Sequence, residues 1–330
     1  MNKEIKVKLG VQEMILTDKS FGLSMNVDPS AEPCAQVIDF YQRSLIKESD
    51  ATNFNNVPFN KGKKRVPLLT TGNLLKAWTC SFNGSNVDLS AKETEVDKVA
   101  CMVEICKADL EDAFLVDSMK QGANNSISQE SFLTYLWAQI GEQVGEDVET
   151  LRWLGDKAGG ATPFLKLTDG YLKQLTASSG LLAGNLTMIA GGVNPSNVIG
   201  EIFKVINLVP KLFRSTQGRN SLRIFVSSNV ALSFQAATAN ATAQGAYVTD
   251  TGDLYLGRYR LIETPMLPNN TIVASPVQDL IYTYDLINDG SNFITVDRTQ
   301  SAAEEIIRFR VNLYFGFDLF SPANIVYYHP

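Results

Sequence analysis

Residues 126–155 have the pattern of one long amphipathic helix in a chain that otherwise contains short elements. Apolar residues recur in it at steps of three and four, which lines one face of a helix. Ser126 and Gln129 have capping-box spacing, and Gly155 stands where a C-terminal stop is expected. At about 1.5 Å per residue the helix would be roughly 40 Å long, far above the usual three turns. The apolar stripe that we expect to pack consists of Leu133, Trp137, Ile140, Val144, Val148 and Leu151.

Two glycines interrupt this helix. Gly141 and Gly145 each cost about 1 kcal/mol relative to alanine, which indicates close approach of another backbone or a bend. The interrupted stripe is too short for a sustained coiled-coil seam, so we expect the helix to pack across one sheet of a flat domain. Its other face is acidic, and we interpret it as a solvated or neighbour-facing side rather than a carboxylate site. The acidic residues are Glu142, Glu146, Asp147 and Glu149.

Charge and hydropathy argue against electrostatic attraction to nucleic acid and against a membrane partner. The net charge of −6 and the pI of 5.0 do not favour attraction to nucleic acid or to an anionic membrane surface. No run approaches the roughly 18 apolar residues that span a bilayer, and the first residues do not resemble a signal peptide. We therefore expect a protein that folds in the cytosol and has no membrane partner.

The sequence offers few residues for catalysis or metal binding. Its cysteines, Cys34, Cys80, Cys101 and Cys106, form no closely spaced pair, and His329 is the only histidine. This pattern excludes a zinc site and leaves serine or cysteine nucleophiles almost without a general base. No nucleotide-binding glycine motif or hydrolase motif is present. We predict a protein that is not an enzyme, with no cofactor, no metal and reduced, packed thiols.

Residues 1–56 lack a sustained pattern, apart from one plausible short helix within residues 34–48, and are typical of an extended arm. Residues 57–95 contain strand-like pieces at 57–59, 66–69 and 78–82, the last before an Asn-Gly turn, and predict a long projecting hairpin. Four basic residues interrupt these pieces. They fit a nucleic-acid patch, a solvated loop or a contact with an acidic neighbour, and the acidic chain favours the last two. They are Lys61, Lys63, Lys64 and Arg65.

Shorter elements follow along the rest of the chain. A strand through 96–106 alternates its faces, a helix is predicted at 107–115, and residues 158–163 form the best internal boundary. A helix is expected to start with Pro195 in its first position and to bury Val198, Ile199, Ile202, Phe203 and Ile206. Further helices are predicted at 169–177 and from Ser227, and a loop at 238–250. The remaining strands are predicted at 223–227, 256–264, 271–275, 293–297, 307–317 and 325–328.

This order of elements resembles that of the major capsid proteins of tailed bacteriophages with the Hong Kong 97-type fold. The resemblance is most specific in residues 222–326. There Thr264 and Pro265, Leu267 and Pro268, the Ile-Val-Ala run at 272–274 and the alternating strand at 308–317 take the places of the family's turn and closing strands. Residues 101–111, CMVEICKADLE, are similar to capsid proteins of crAss-like phages.

The resemblance implies an α+β capsid fold. It divides the chain into an N-terminal arm (1–56), an extended loop (57–95), a peripheral domain (96–165, with a spine helix at 126–155), an axial domain (166–290) and return strands of the peripheral domain (291–330). Residues expected to contact neighbouring subunits are Phe59, Lys61, Lys63, Lys64, Arg65 and Trp78. Some family members cross-link through a loop lysine, for which the candidates are Lys61, Lys63, Lys64, Lys76 and Lys92.

The implied function is structural. Copies of the chain would self-assemble into hexamers and pentamers of an icosahedral phage head that encloses double-stranded DNA, in the cytoplasm of a bacterial host. Portal, scaffold or decoration proteins would be further partners, and DNA would be contacted without sequence specificity. An encapsulin-like nanocompartment shell, which shares the fold but holds a cargo enzyme, is the main alternative. A metabolic α/β enzyme with a helical insertion is a third interpretation, but the sequence lacks the catalytic residues that such an enzyme needs.

Overall fold

A computed structural model describes residues 5–9, 12–16, 53–59, 64–71, 87–106, 129–215, 221–239, 254–285, 293–297 and 306–330, and these residues form a mixed α+β structure. The helices are α1 (Gln129–Leu154), α2 (Tyr171–Ala177), α3 (Val198–Leu208), α4 (Lys211–Arg214) and α5 (Ser228–Ala239). The strands are β1 (Ile5–Leu9), β2 (Gln12–Leu16), β3 (Asn55–Phe59), β4 (Lys64–Thr71), β5 (Val87–Thr94), β6 (Asp97–Cys106), β7 (Gly184–Thr187), β8 (Leu222–Val226), β9 (Leu254–Leu256), β10 (Tyr259–Glu263), β11 (Ile272–Pro276), β12 (Leu280–Asp285), β13 (Phe293–Asp297), β14 (Ile306–Leu319) and β15 (Val326–His329).

The described residues belong to two compact units. The first lies within Met1–Cys34, Ala100–Leu133 and Ile287–Asn312. In it β1 and β2 form an antiparallel hairpin, and β13 pairs antiparallel with the first half of β14. An ion pair of 2.6 Å joins Arg308 Nε on β14 to Glu104 Oε2 on β6.

The second unit contains a six-stranded mixed sheet with the order β7-β15-β11-β8-β10-β9. Strand β15 is parallel to β7 and β10 is parallel to β8, whereas the other neighbours are antiparallel. Helices α3 and α5 pack their apolar faces on this sheet, and burial of such faces is the main favourable contribution to folding. The core includes Val198, Ile202, Val205, Ile206, Ile224, Val226, Val230, Phe234, Ile272, Ala274, Val326 and Tyr328.

The second unit also holds the sheet built on the second half of β14. This half pairs antiparallel with β12, and β12 pairs parallel with β3. The strand-like piece at 57–59 therefore belongs to this sheet and not to the projecting hairpin. The hairpin itself consists of β4 and β5, paired from Lys64 opposite Thr94 to Thr71 opposite Val87. The strand predicted at 78–82 lies outside the described residues.

The long helix is present as α1. Residues 126–128 lie outside the described part, and the amide of Gly155, just after the helix, donates to the Leu151 carbonyl at 3.0 Å. Val144, Val148 and Leu151 are buried, as are both interrupting glycines, while Ile140 is half-buried. Glu142 and Glu146 are exposed, which agrees with a solvated acidic face. No helix among the described residues is both long and apolar enough to cross a membrane.

Helix α3 begins later than predicted. Pro195 is not its first residue, because a turn at 195–197 precedes it and Val198 is its first residue, with Asn197 as the N-cap. The side chain of Asn194 holds this turn by accepting the Ser196 amide at 3.0 Å. The prediction that Phe203 is buried is also wrong. Its side chain is 46% exposed and Val205 is buried instead, because the face centred on residues 198, 202, 205 and 206 meets the sheet.

The single strand predicted at 256–264 is two strands. A two-residue turn at Gly257 and Arg258 separates β9 from β10, and the strands pair antiparallel with Tyr259 opposite Leu256. Gly257 has φ of 64°, a left-handed conformation that a tight hairpin turn needs and that glycine adopts without strain. The strands predicted at 223–227, 271–275, 293–297, 307–317 and 325–328 are confirmed as β8, β11, β13, β14 and β15, and the helix at 169–177 as α2.

Candidate functional site

The β4–β5 hairpin is held at its root, where β5 leads into β6. The ammonium of Lys92 donates to the Leu319 carbonyl and lies 3.5 Å from Asp318 Oδ1, at the end of β14. Burial raises the pKa of Asp318, and the charge of Lys92 opposes this shift. The ion pair is therefore partly removed from water and holds the hairpin to β14 rather than lying free on the surface.

Backbone packing reinforces the same root. Thr94 is fully buried, and Glu95 follows it between β5 and β6. A Cβ atom added at Gly316 of β14 would overlap the carbonyl oxygen of Glu95. Only glycine at this position lets the two backbones come so close. The hairpin thus leaves the second unit from a fixed point on β14.

A buried cation lies near the end of α1. Arg152 is only 4% exposed, and its guanidinium carbon lies 4.6 Å from the ring centroid of Phe54 and 4.8 Å from that of Tyr282. The ring of Phe317 is 5.9 Å away. At these distances a cation is attracted to the ring faces, by about 2 kcal/mol or more where water is excluded. Arg152 therefore joins α1 to β12, β14 and the residue that precedes β3.

Aromatic rings surround this cation. Phe54 stacks on Tyr171 at 5.9 Å and on Phe225 at 5.3 Å between ring centroids. Trp153, which is also buried, meets Tyr171 edge-on at 5.5 Å. The Tyr171 hydroxyl donates to the Ile281 carbonyl at 2.8 Å, so the polar end of this ring is satisfied. The cluster connects α1, α2 and strands of both sheets in the second unit.

Carboxylates and lysines hold the segment after α1 in place. The ammonium of Lys173 lies 2.6 Å from Asp156 Oδ1 and 2.7 Å from Asp169 Oδ1. Its hydrogen bond lowers the pKa of Asp156. Lys157 pairs with Asp97 at 2.7 Å. Each carboxylate here faces a lysine, and the described residues contain no group of ligands that could hold a metal ion.

Asp279 is a buried carboxyl group between β11 and β12. It is 1% exposed and accepts a hydrogen bond of 2.9 Å from the Asn324 side chain, while its carbonyl accepts the Phe320 amide at 2.8 Å. Burial raises the pKa of Asp279 to about 6 from an ordinary 3.8, and the Asn324 bond opposes the shift. Asp279 thereby ties the turn between β14 and β15 to the end of β11.

The residues predicted to contact neighbouring subunits are only partly described. Lys61, Lys63 and Trp78 lie outside the described residues. Phe59 ends β3, whereas Lys64 and Arg65 begin β4, opposite Thr94 and Glu93. The structure thus separates Phe59 from the two basic residues by placing them in different sheets.

In α1, the side chains of Leu133 and Trp137 lie outside the described residues. The sequence reasoning missed Arg152 and Trp153, which follow the predicted stripe directly. It also missed Lys92 with Asp318. The one signal in the sequence for this buried cluster was Trp153, a large apolar residue beside the stripe. Apolar periodicity cannot assign an arginine such as Arg152 to a core.

No family model matches the sequence, and no curated protein is similar to it at the sequence level. Solved structures are similar. A chain of the satellite phage P4 procapsid with its size determination (Sid) protein matches with a TM-score of 0.56 and 11% identity, over 88% of this chain and 97% of that one. A structure from Gordonia phage Cozz matches with a TM-score of 0.55 and 13% identity, over 93% of this chain and 91% of that one. The capsid of an empty GTA particle matches with a TM-score of 0.54 and 12% identity, over 84% of this chain and 94% of that one.

This chain has a phage capsid fold. The α+β class expected from the sequence is confirmed, and at these identities the likeness is one of fold.

Proposed function

We propose that this protein is a major capsid protein of a tailed bacteriophage with the Hong Kong 97-type fold. Copies of it form the hexamers and pentamers of an icosahedral head that encloses double-stranded DNA. The observation that carries the proposal is the extent of the fold likeness. It takes in 84–93% of this chain and 91–97% of the matched chains, so it concerns nearly whole capsid chains rather than one shared module.

The polar groups of the structure support a structural rather than an enzymatic role. Lys173 bridges Asp156 and Asp169, Lys157 pairs with Asp97, and Lys92 holds the root of the hairpin. These charges are used to position loops and strands. In the proposed function the acidic balance fits a shell that other proteins fill with DNA, rather than one that attracts DNA by its own charge.

The proposed division of the chain follows the resemblance. Residues 1–56 are the arm, 57–95 the extended loop, 96–165 and 291–330 the peripheral domain and 166–290 the axial domain. The β4–β5 hairpin lies within the loop range, and most of the six-stranded sheet lies within the axial range. Strand β15 pairs with β11 and β7, so residues 326–329 join the six-stranded sheet although they fall within the 291–330 range, and we place them with the axial domain instead.

Of the loop lysines considered for cross-linking, Lys92 is held by Asp318 and Leu319 of its own chain. This contact leaves its ammonium poorly placed to reach an asparagine of a neighbour. Lys61, Lys63 and Lys76 lie outside the described residues, as does the side chain of Lys64. Gel electrophoresis of purified shells boiled in SDS shows whether subunits are cross-linked. A cross-linked shell gives a ladder of bands, and a shell without cross-links gives only monomer.

Electron microscopy of the purified protein tests the proposed function. We expect closed shells with sixfold and fivefold capsomers, and particles from infected cells should contain nuclease-protected DNA. Shells that carry a protein cargo and no DNA would favour the nanocompartment alternative. A discrete small oligomer on gel filtration, with no shells at any concentration, would contradict the proposal.

A further inference from the structure

Helix α3 is apolar on both of its sides. One side, with Val198, Ile202 and Val205, packs on the six-stranded sheet. The opposite side is exposed and carries Phe203 and Leu208 at helical spacing. A helix at the surface of a domain usually turns charged or polar residues to water on that side. The exposed side of α3 is therefore suited to a further contact.

The exposed apolar surface continues over α4 and α5. Helices α3 and α5 lie side by side on the sheet, and α5 exposes 63% of Leu232. The guanidinium of Arg214 on α4 donates to Asn207 Oδ1 on the exposed side of α3 at 3.4 Å, and α4 exposes 71% of Leu212. Half of the exposed large apolar side chains among the described residues lie on these three helices. The helix-layer surface, as named here, consists of Phe203, Lys204, Leu208, Lys211, Leu212 and Leu232.

The charge that this surface presents to solvent is positive. Helix α5 contains no charged residue, and the one acidic residue of α3 and α4 is Glu201. Glu201 is only 4% exposed and pairs with Lys204 at 2.6 Å, so its carboxylate is already used within the chain. Lys211 is exposed and Arg214 is half-buried. Positive charge beside apolar side chains, in a chain of net charge −6, selects a partner that is both acidic and apolar.

Other occupants match only part of this surface. DNA would pair its phosphates with the cations but would leave Leu212 and Leu232 uncovered. A second copy that met it with the same surface would oppose like charges. The acidic side of α1 in another copy exposes Glu142 and Glu146 together with glutamines, and so offers charge without apolar cover. An amphipathic helix with apolar and acidic residues supplies both.

We propose that the helix-layer surface binds an amphipathic helix of a separate, acidic protein. Helices α3 and α5 are each about 17 Å long, and packed helices lie about 8–10 Å apart, so their groove holds roughly three turns of a third helix. Its apolar residues cover Phe203 and Leu232, and its carboxylates meet Lys211 and Arg214. A contact of this size buries a few hundred Å² per partner, which makes binding at one site weak. The inference goes beyond the proposed shell and needs only the folded single chain.

Three designed peptides test the proposal by fluorescence anisotropy with the unassembled protein. The first is a stapled four-turn helix with leucines along one side and glutamates elsewhere. The second carries lysines in place of the glutamates, and the third has the acidic composition in scrambled order. We expect the acidic helix to bind at least tenfold more tightly than either of the others. No binding of the acidic helix, or equal binding of all three, would overturn the proposal.

Two equally exposed positions provide a matched pair of variants. Leu212 on α4 is 71% exposed and Met102 on β6 is 68% exposed. Leu212→Glu should weaken binding of the acidic helix at least tenfold, whereas Met102→Glu should bind it as wild type does. Both should melt within about 2 °C of wild type, because neither side chain is buried in the single chain. Equal effects of the two substitutions would contradict the assignment to this surface.

Charge reversal supplies a second readout that a folding defect would not produce. Lys211→Glu should weaken binding of the acidic helix and strengthen binding of the lysine helix. If both peptides lose affinity together, the charge argument is wrong. Vesicles of phosphatidylcholine with phosphatidylglycerol test the alternative of a membrane, and sedimentation with them that Leu212→Glu abolishes would overturn the proposal in its favour. Wild-type protein that binds the acidic helix but forms no shells would overturn the proposed function and leave this inference in place.

Discussion

The guanidinium of Arg152 lies 4.6 Å from the ring centroid of Phe54, although the two residues are far apart in the sequence. Phe54 also stacks on Tyr171 and Phe225. One aromatic ring therefore anchors the start of β3 to the end of the long helix and to the six-stranded sheet. This contact makes the region near residue 54 part of the folded body of the second unit.

Removal of this ring should be costly. We expect Phe54→Ala to lower the free energy of unfolding by about 3–5 kcal/mol, the usual cost of a buried phenylalanine. Phe203→Ala is the matched control, because the same atoms are lost from a side chain that is 46% exposed, and it should cost about 1 kcal/mol or less. Urea titration of the unassembled variants measures both values. Equal losses would contradict a central role for Phe54.

Asp279 should make stability depend on pH. Its pKa is about 6 in the folded protein and 3.8 ordinarily, so the folded state binds the proton more tightly. The stabilisation is fully present below about pH 4 and is lost as the pH rises through 6. Asp279→Asn cannot ionise and can still accept the Asn324 bond. It should be more stable than wild type by up to about 3 kcal/mol at pH 7–8 and equal to it near pH 4. An advantage that does not vary with pH, measured by melting from pH 4 to 8, would refute this.

Glycine at 316 should be essential for the root of the hairpin. Gly316→Ala places a methyl group against the Glu95 carbonyl, and we expect a loss of about 1–3 kcal/mol from overpacking. Gly200→Ala is the control, since no atom outside the neighbouring backbone of its own helix lies within 4 Å of the added carbon. That variant should gain up to about 1 kcal/mol. Differential scanning calorimetry measures whether each variant is more or less stable than wild type. Unchanged stability of Gly316→Ala would show that the two backbones can separate freely.

Trp137 remains a sequence prediction, because its side chain lies outside the described residues. If it packs in the apolar stripe of α1, Trp137→Ala should destabilise the protein by about 3–5 kcal/mol and alter shell curvature as well. The melting temperature and the particle diameter are the two readouts. An unchanged melting temperature would show that the helix is not buried at this level.

The arm offers a test of assembly alone. Truncation of residues 1–40 removes the β1–β2 hairpin of the first unit and leaves Phe54 and β3 in place. We expect a chain whose second unit still folds, with normal far-ultraviolet circular dichroism, but which does not form shells. Normal shells from the truncated protein in electron micrographs would rule out a role for the arm in assembly.

Sequence periodicity predicted the helices and strands in which buried residues recur at regular spacing. Helix α1 and strand β14 were both found from alternation or three-to-four spacing, because each presents one apolar face over many residues. Helix α3 is shorter, and its pattern allowed Phe203 to be grouped with the buried face. The sheet beneath it, and not the pattern, decides which side is covered.

The contacts that matter most at the candidate site could not be read from the sequence. Lys92 meets Asp318, and Gly316 meets Glu95, across more than two hundred residues. Arg152 would be placed on a helix surface by any hydropathy rule, yet a ring from before β3 covers it. Such pairings depend on how distant strands are brought side by side, and a single sequence carries little signal for them.

The parallel pairing of β3 with β12 has a consequence for synthesis. About 220 residues separate Phe59, the last residue of β3, from Leu280, the first of β12. At roughly 5–20 residues per second the ribosome needs on the order of 10–45 s to make them. Throughout that interval β12, the strand that β3 pairs with among the described residues, has not been made, so the sheet from which the hairpin extends closes only after β12 has been synthesised. In the proposed shell, each subunit would thus acquire its full docking geometry only after β12 and β14 have been made, which would delay contact between half-made chains on one messenger RNA.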